Sequence, residues 1–355
     1  MVWISLTPPS DPPAVEPPPA PPGCAGVPTP RFSVMIPTYM PDERLLRQTL
    51  RCVLAQAPAA EQMQIMVVDD TRQPGFTAAI VRSVDPHGRI EVVENERRLG
   101  IAGNWNRAIA HARGELVHLL HQDDYVLPGF YERIDQGFKR APAAGMAVCR
   151  SRIIDDRERH VRLNSRLRLT SGLIRNWLPQ IAVRQRVQTP AVVVRRETYE
   201  SVGGFHTDLC QALDWEMWVR IAARSAVWYE PRTLAVYRRH DKNESSRLLD
   251  RNDVWPDLAR AIRMNATSLP IASRAGLTAA SGSWYSLSGL RTAERQLRHG
   301  NPHGAAATLN ALTGLLELAT NGPRSAALMR RLESLRHRLG GSAEPPLAFG
   351  LRSAA

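Results

Sequence analysis

The stretch from Glu115 to Tyr125 constrains this chain more than any other. Leu116, Val117, Leu119 and Leu120 are apolar without alternation, the pattern of a strand buried on both faces, as in parallel sheets covered by helices on each side. The run ends in His121, Gln122, Asp123 and Asp124, so two adjacent carboxylates fall at the strand's carboxyl end, where open α/β sheets bind ligands. Neighbouring acids repel and lose solvation when held together, so either a cation neutralises them or one of them caps the turn that follows. A hard ion such as Mg²⁺ or Mn²⁺ suits carboxylates and completes its shell with phosphate oxygens.

Upstream, the same kind of segment repeats. Phe32 to Ile36 reads as a strand stopped by Pro37, and Asp42 to Gln56 as a helix with Leu45, Leu46, Thr49, Leu50 and Val53 on one face. Ile65 to Val68 is a second buried strand ending in Asp69 and Asp70. Phe76 to Val84 has helical spacing, Ile90 to Val93 is a strand, and Ile101 to Ala112 is a helix closed by Gly114. This order predicts an α/β fold with a mostly parallel central sheet, right-handed crossovers and flanking helices. Three strand ends then converge on one crevice: Pro37, Thr38 and Tyr39; Asp69 and Asp70; and His121 to Asp124. Gly100 and Gly103 lie outside the first βα turn, so the dinucleotide fingerprint is absent, and so is a phosphate-cradling P-loop.

Residues 8 to 30 are dominated by proline and are expected to be an extended tail. No apolar run reaches the length of a membrane span, and Val2, Trp3, Ile4 and Leu6 make too short a patch for a secretory signal. Cys24, Cys52, Cys149 and Cys210 have no paired spacing, so neither a zinc site nor a disulfide framework is indicated, and a reducing cytoplasm is expected. The net charge of +12 favours anionic partners. It is not interleaved with aromatics as a single-strand groove requires, so nucleic acid is not expected.

From Arg31 to Ser246 the chain resembles the family 2 glycosyltransferases of the GT-A fold. The matching pieces are Ser33 to Tyr39, Val67-Val68-Asp69-Asp70, Asn95 with Gly100 to Asn106, Asp123-Asp124, Gly203-Gly204-Phe205, Asp214-Trp215-Glu216, and Tyr237 to Ser245. The resemblance implies a nucleotide-sugar donor held by Pro37, Thr38, Tyr39, Asp69 or Asp70, Asn106 and Asp123, and a divalent metal held by Asp123, Asp124 and His240. The family's metal motif runs acid, any residue, acid; here His121 stands in the first place, as a partner of the metal ligands or simply a strand-end residue. The general base of an inverting transfer is assigned to Asp214, although Leu213 stands where many relatives carry Glu. Asp214 and Glu216 would equally suit a helix start. Arg238 and His240 are placed near the diphosphate.

Residues 31–124 are then the nucleotide-binding half and 125–246 the acceptor half. Residues 247–355 form a helical basic extension outside the resemblance, with Leu328, Leu332, Leu335 and Leu339 on one stripe. That stripe either packs on the catalytic domain or lies peripherally on an acidic inner membrane, where a lipid-linked acceptor resides. The expected reaction moves a sugar from a UDP-linked donor to a hydroxyl of a glycan or lipid-linked acceptor. A sugar-nucleotide nucleotidyltransferase normally opens with a Gly-rich basic loop, absent around Pro37 to Asp42. An inactive binding module is at odds with intact Asp123, Asp124 and Asp214.

Overall fold

The computed structural model of the protein describes residues 29–239, 251–319 and 325–340. Its first half alternates as the periodicity requires: β1 (Phe32–Thr38), α1 (Glu43–Leu54), β2 (Met63–Asp69), α2 (Phe76–Val84), β3 (Glu91–Glu94), α3 (Gly100–His111) and β4 (Leu116–Leu119). Asp42 caps α1 by accepting the Leu45 amide at 3.1 Å, and the five residues assigned to the inner face are buried. At Gly114 an added Cβ would lie 2.5 Å from the Phe32 carbonyl carbon, so only glycine lets the α3–β4 turn pass this close to β1.

β1 does not stop at Pro37. It pairs with β2 as far as Thr38, whereas its register with β4 ends at Met35 opposite Leu119. The alternation of pairing directions points the missing donor of Pro37 to the side from which β4 has already diverged, so no ladder bond is lost. That divergence opens the crevice.

The second half adds β5 (Tyr125–Val126), α4 (Phe130–Arg140), β6 (Ala144–Ile154), β7 (His160–Leu163), β8 (Gly172–Leu173), α5 (Trp177–Val183), β9 (Val192–Arg195), α6 (Arg196–Val202), α7 (Leu213–Ala222) and β10 (Ala226–Arg238). The sheet order is β3-β2-β1-β4-β9-β6-β10-β5, with β7 on β6 and β8 on β10. β3, β2, β1 and β4 are all parallel, as expected, but β9 runs antiparallel to both neighbours and β5 to β10, so the second half is mixed.

Side chains alternate between two cores. Val34, Ile36, Ile65 and Val67 meet α1, α2 and α4 on one face. Met35, Met66, Val68, Val117 and Leu119 belong to the other core, with α3, α5 and α7. The carboxyl-terminal helices α8 (Val254–Thr267), α9 (Ile271–Arg298), α10 (Pro302–Ala311), α11 (Thr313–Ala319) and α12 (Ser325–Arg338) join this second core. Leu328, Leu332 and Leu335 are buried in it, and Arg331 forms a bidentate pair with Glu294 of α9 at 2.5 and 2.6 Å. Packing therefore claims the leucine stripe, and its apolar face is not available to a bilayer. No described helix is long and apolar enough to cross a membrane.

Candidate active site

The converging strand ends line a crevice of about 780 Å³ that contains Thr38, Tyr39, Asp70, Asn104, His121, Asp123 and Asp214. Its donor-side wall is tied together by side chains bonded to backbone. The Asp69 carboxylate accepts the Thr38 hydroxyl at 2.9 Å and the Thr71 hydroxyl at 2.5 Å, which locks the ends of β1 and β2 to each other. Asp70 accepts the amides of Leu99 and Gly100 at 2.8 and 3.0 Å, holding the start of α3, and Asn95 Nδ2 at 2.9 Å. Asn104 donates to the carbonyls of Thr38 and Val68 at 3.2 and 3.1 Å. Gln122 makes a bidentate pair with the backbone of Tyr39, at 2.8 and 3.1 Å, and the Arg98 guanidinium lies 4.3 Å above the Tyr39 ring. Pro37 also lines the crevice; Asp69 stands behind it.

Asn106 is placed elsewhere. Its amide pairs with the backbone of Phe205, accepting from N at 2.7 Å and donating to O at 2.9 Å, and it does not line the crevice. The pairing explains Gly204: a Cβ there would sit 2.7 Å from Asn106 Oδ1. The two motif pieces are linked to each other, and the crevice position on α3 is taken by Asn104.

His121, Asp123 and Asp124 place their ligand atoms within 4.8 Å of one another. Asp124 is fully buried, accepting the Arg238 amide at 2.8 Å and lying 3.1 Å from His121 Nδ1. His121 packs against Trp105, and its Nε2 is buried without a hydrogen-bond partner. Burial pushes the His121 imidazolium down, but the Asp124 hydrogen bond and the charges of Asp124, Asp123 and Asp214 outweigh it, so the net shift is upward. Burial likewise raises the Asp124 carboxyl, against the opposing pull of its hydrogen bond to His121. The donor set fits a divalent cation: Asp123 and His121 line the crevice, the imidazole keeps one buried nitrogen without a hydrogen-bond partner, and Asp124 bonds the other. His240 lies outside the described residues.

Arg238 is also at the crevice. Its guanidinium donates to the Asp123 carbonyl at 3.1 Å, Gln48 Oε1 at 2.7 Å and Glu158 at 3.2 Å, so it clamps the acidic turn from below.

Asp214 sits on the opposite wall, in the first turn of α7. Its Oδ2 accepts Gln185 Nε2 at 2.5 Å and the Thr189 hydroxyl at 3.0 Å, and its Oδ1 accepts the Trp215 amide at 2.6 Å. Burial pushes its carboxyl up to about 6 despite those donors and the nearby His121. Gln185 is held in turn by Tyr285 of α9, whose hydroxyl accepts the Gln185 amide at 3.1 Å. The loop into α7 is held by Asp257 of α8, which accepts the amides of Cys210, Gln211 and Ala212 at 3.0, 2.8 and 2.8 Å. Glu216 is occupied elsewhere, paired with Arg220 at 2.6 Å. Asn104, Gln185, Thr189, Tyr285 and Asp257 are the residues that sequence reasoning missed.

Nucleotide-sugar transferases of the GT-A type are the class that this sheet, with acids at its strand ends and a carboxylate across the crevice, defines. The chain belongs to glycosyltransferase family 2: that family's profile matches residues 33–197, and the enzyme is accordingly a glycosyltransferase. It is 31% identical over 233 residues to an uncharacterized protein of Mycobacterium tuberculosis, covering 62% of this chain and 70% of that one. Among solved structures it is similar to S. aureus TarS in complex with UDP-GlcNAc, with a TM-score of 0.62, 17% identity, and 87% and 88% of the two chains covered. It is also similar to the mannosyltransferase PcManGT of Pyrobaculum calidifontis in complex with GDP-Man and Mn²⁺, with a TM-score of 0.53, 20% identity, and 91% and 83% covered. At these identities the two structures speak for the fold.

Proposed function

We propose that the enzyme transfers a sugar, with inversion, from a UDP-linked donor to a hydroxyl of a glycan or lipid-linked acceptor. The observation that carries this reading is the position of Asp214: a buried carboxylate raised to about 6 shares one crevice with the strand-end acids. Such a group is ionised at neutral pH yet more basic than an ordinary Asp, which suits a general base. In the reaction the acceptor oxygen bonds to the anomeric carbon, its proton passes to Asp214, and the bond to the diphosphate oxygen breaks on the opposite face.

On the donor side, Pro37, Thr38, Tyr39 and Asp70 border the nucleotide position, with Asp69 bracing Thr38. Asp123 and His121, backed by Asp124, would hold Mg²⁺ or Mn²⁺. The cation's contribution is to offset the charge of the departing nucleoside diphosphate. The Mn²⁺ in PcManGT and the UDP-GlcNAc in TarS support the choice of cofactor and donor class.

The test is a panel of UDP- and GDP-sugars scored by thermal shift with Mn²⁺, with Mg²⁺ and with chelator, followed by product analysis with the best donor. A metal-dependent shift with UDP-sugars and a product of inverted anomeric configuration are expected. Preference for a GDP-sugar would overturn the donor assignment, and a retained configuration would overturn the role of Asp214.

A further inference from the structure

Four of the large apolar side chains most exposed on the described surface fall in one short segment: Val161 at 49%, Leu163 at 40%, Leu169 at 81% and Leu173 at 41%. The first two lie on β7, an edge strand whose four residues are all exposed. Leu169 is at the tip of the following loop, beside a groove of about 720 Å³ lined by Leu167, Arg168, Leu173, Ile174, Arg175 and Gln180. The stretch from Arg157 to Arg175 also contains six arginines, at 157, 159, 162, 166, 168 and 175, against one acid. That acid, Glu158, is turned inward to Arg238 and Arg44. Arg159 is paired with Asp155 at 2.7 Å, and Arg168 and Arg175 line the groove; leucine protruding from so basic a stretch is costly in water, and the function of the crevice does not use it.

We propose that this edge docks on an acidic lipid surface, with Leu169 entering the headgroup region and the arginines pairing with lipid phosphates. The two features choose the occupant together. A soluble polyanion would satisfy the arginines but gain nothing from Leu169, whereas a bilayer of anionic lipids satisfies both. Gly172 and Leu173 pair with Tyr229 and Trp228 near the start of β10, whereas the crevice takes in Tyr237 and Arg238 at that strand's other end. Docking there leaves the crevice clear, and the leucine stripe of α12 stays packed in the core.

The test is co-sedimentation of the full chain with phosphatidylcholine vesicles, with and without about a third of phosphatidylglycerol. Binding to the acidic vesicles should be at least about tenfold tighter and should weaken as salt rises. Leu169→Asn should lower the acidic-vesicle partition roughly tenfold by removing the buried leucine, and Arg166→Glu with Arg175→Glu by more than that. Inorganic polyphosphate serves as the soluble comparison. If Leu169→Asn binds vesicles like wild type, or polyphosphate displaces the protein from them completely, the site is a polyanion groove and the membrane assignment is overturned. Equal binding to neutral vesicles, or no binding to either, overturns it too. All variants should keep the wild-type melting temperature and donor-induced shift, so a failure here is distinct from a failure of the transferase reading.

Discussion

The two walls of the crevice are built by different means. On the donor side, Thr38, Asp69, Asp70, Asn95 and Asn104 bond to one another and to nearby backbone, all within the first 104 residues. On the side of the proposed base, Asp214 depends on Gln185 and Thr189 before it in the chain, and on Tyr285 and Asp257 after it. A site whose recognition half is local and whose chemical half is gathered from across the chain should lose the two abilities separately.

The sharpest separation is Asp214→Asn. It keeps the side chain's size and removes the basic lone pair, so transfer should fall by about two to four orders of magnitude while UDP-induced stabilisation persists. Loss of UDP binding in the same variant would break the comparison, because Asp214 would then belong to the donor wall. Asp257→Ala is the next largest. It removes the Asp257 acceptor from the buried amide of Ala212 and the partly buried amides of Cys210 and Gln211, which should cost on the order of 1–3 kcal/mol in denaturant unfolding. It should also lower transfer by about ten- to a hundredfold through misplacement of α7, again with donor binding kept.

Asp123→Asn tests the other wall. The metal-dependent part of the UDP shift, about 2–3 kcal/mol at saturating ligand, should disappear, whereas the metal-free part remains. Equal shifts with cation and chelator in the wild type would remove the metal site altogether.

The pH profile separates the walls within one molecule. Transfer should fall about tenfold per unit below a limb near 6, where Asp214 takes up its proton. The stability sign is opposite to that of a salt-bridged acid. The folded-state pKa of Asp214 lies above its unfolded value, so the folded form binds the proton more tightly, and this group's contribution improves as pH falls through 6. Asp214→Asn should weaken that trend in a series of melting curves, leaving the part carried by Asp124, whose carboxyl burial also pushes up to about 6. The smallest expected effect is none: deleting residues 1–28 should leave melting temperature and donor shift unchanged. A loss of soluble protein would show that the donor wall is less self-contained than its bonds imply.

The donor wall was also the legible one. Strand and helix periods between Phe32 and Leu119 are local signals, and the structure moves their boundaries by a residue or two. The extension of β1 through Pro37 was not legible, since it depends on where β4 diverges. Asn104 and Asn106 show the limit more finely: two positions along a helix are about 200° apart, and the sequence does not tell which of them faces the sheet. The base wall was readable only at Asp214, and there by resemblance. Asp257 is one acid on a helix with no motif around it, and its role exists only once α8 meets the loop before α7.

The three amides bonded to Asp257 bear on synthesis. Residues 206 to 214 leave the ribosome well before residue 257, and the bonds that Asp257 accepts from the amides of Cys210, Gln211 and Ala212 form only once α8 arrives. The parallel sheet of the first half can assemble on the emerging chain, since domains form from the amino end as they are made. A nascent chain would thus acquire its donor wall early and the fixed position of its base late, so nucleotide sugar held by an unfinished chain would not yet face an aligned base.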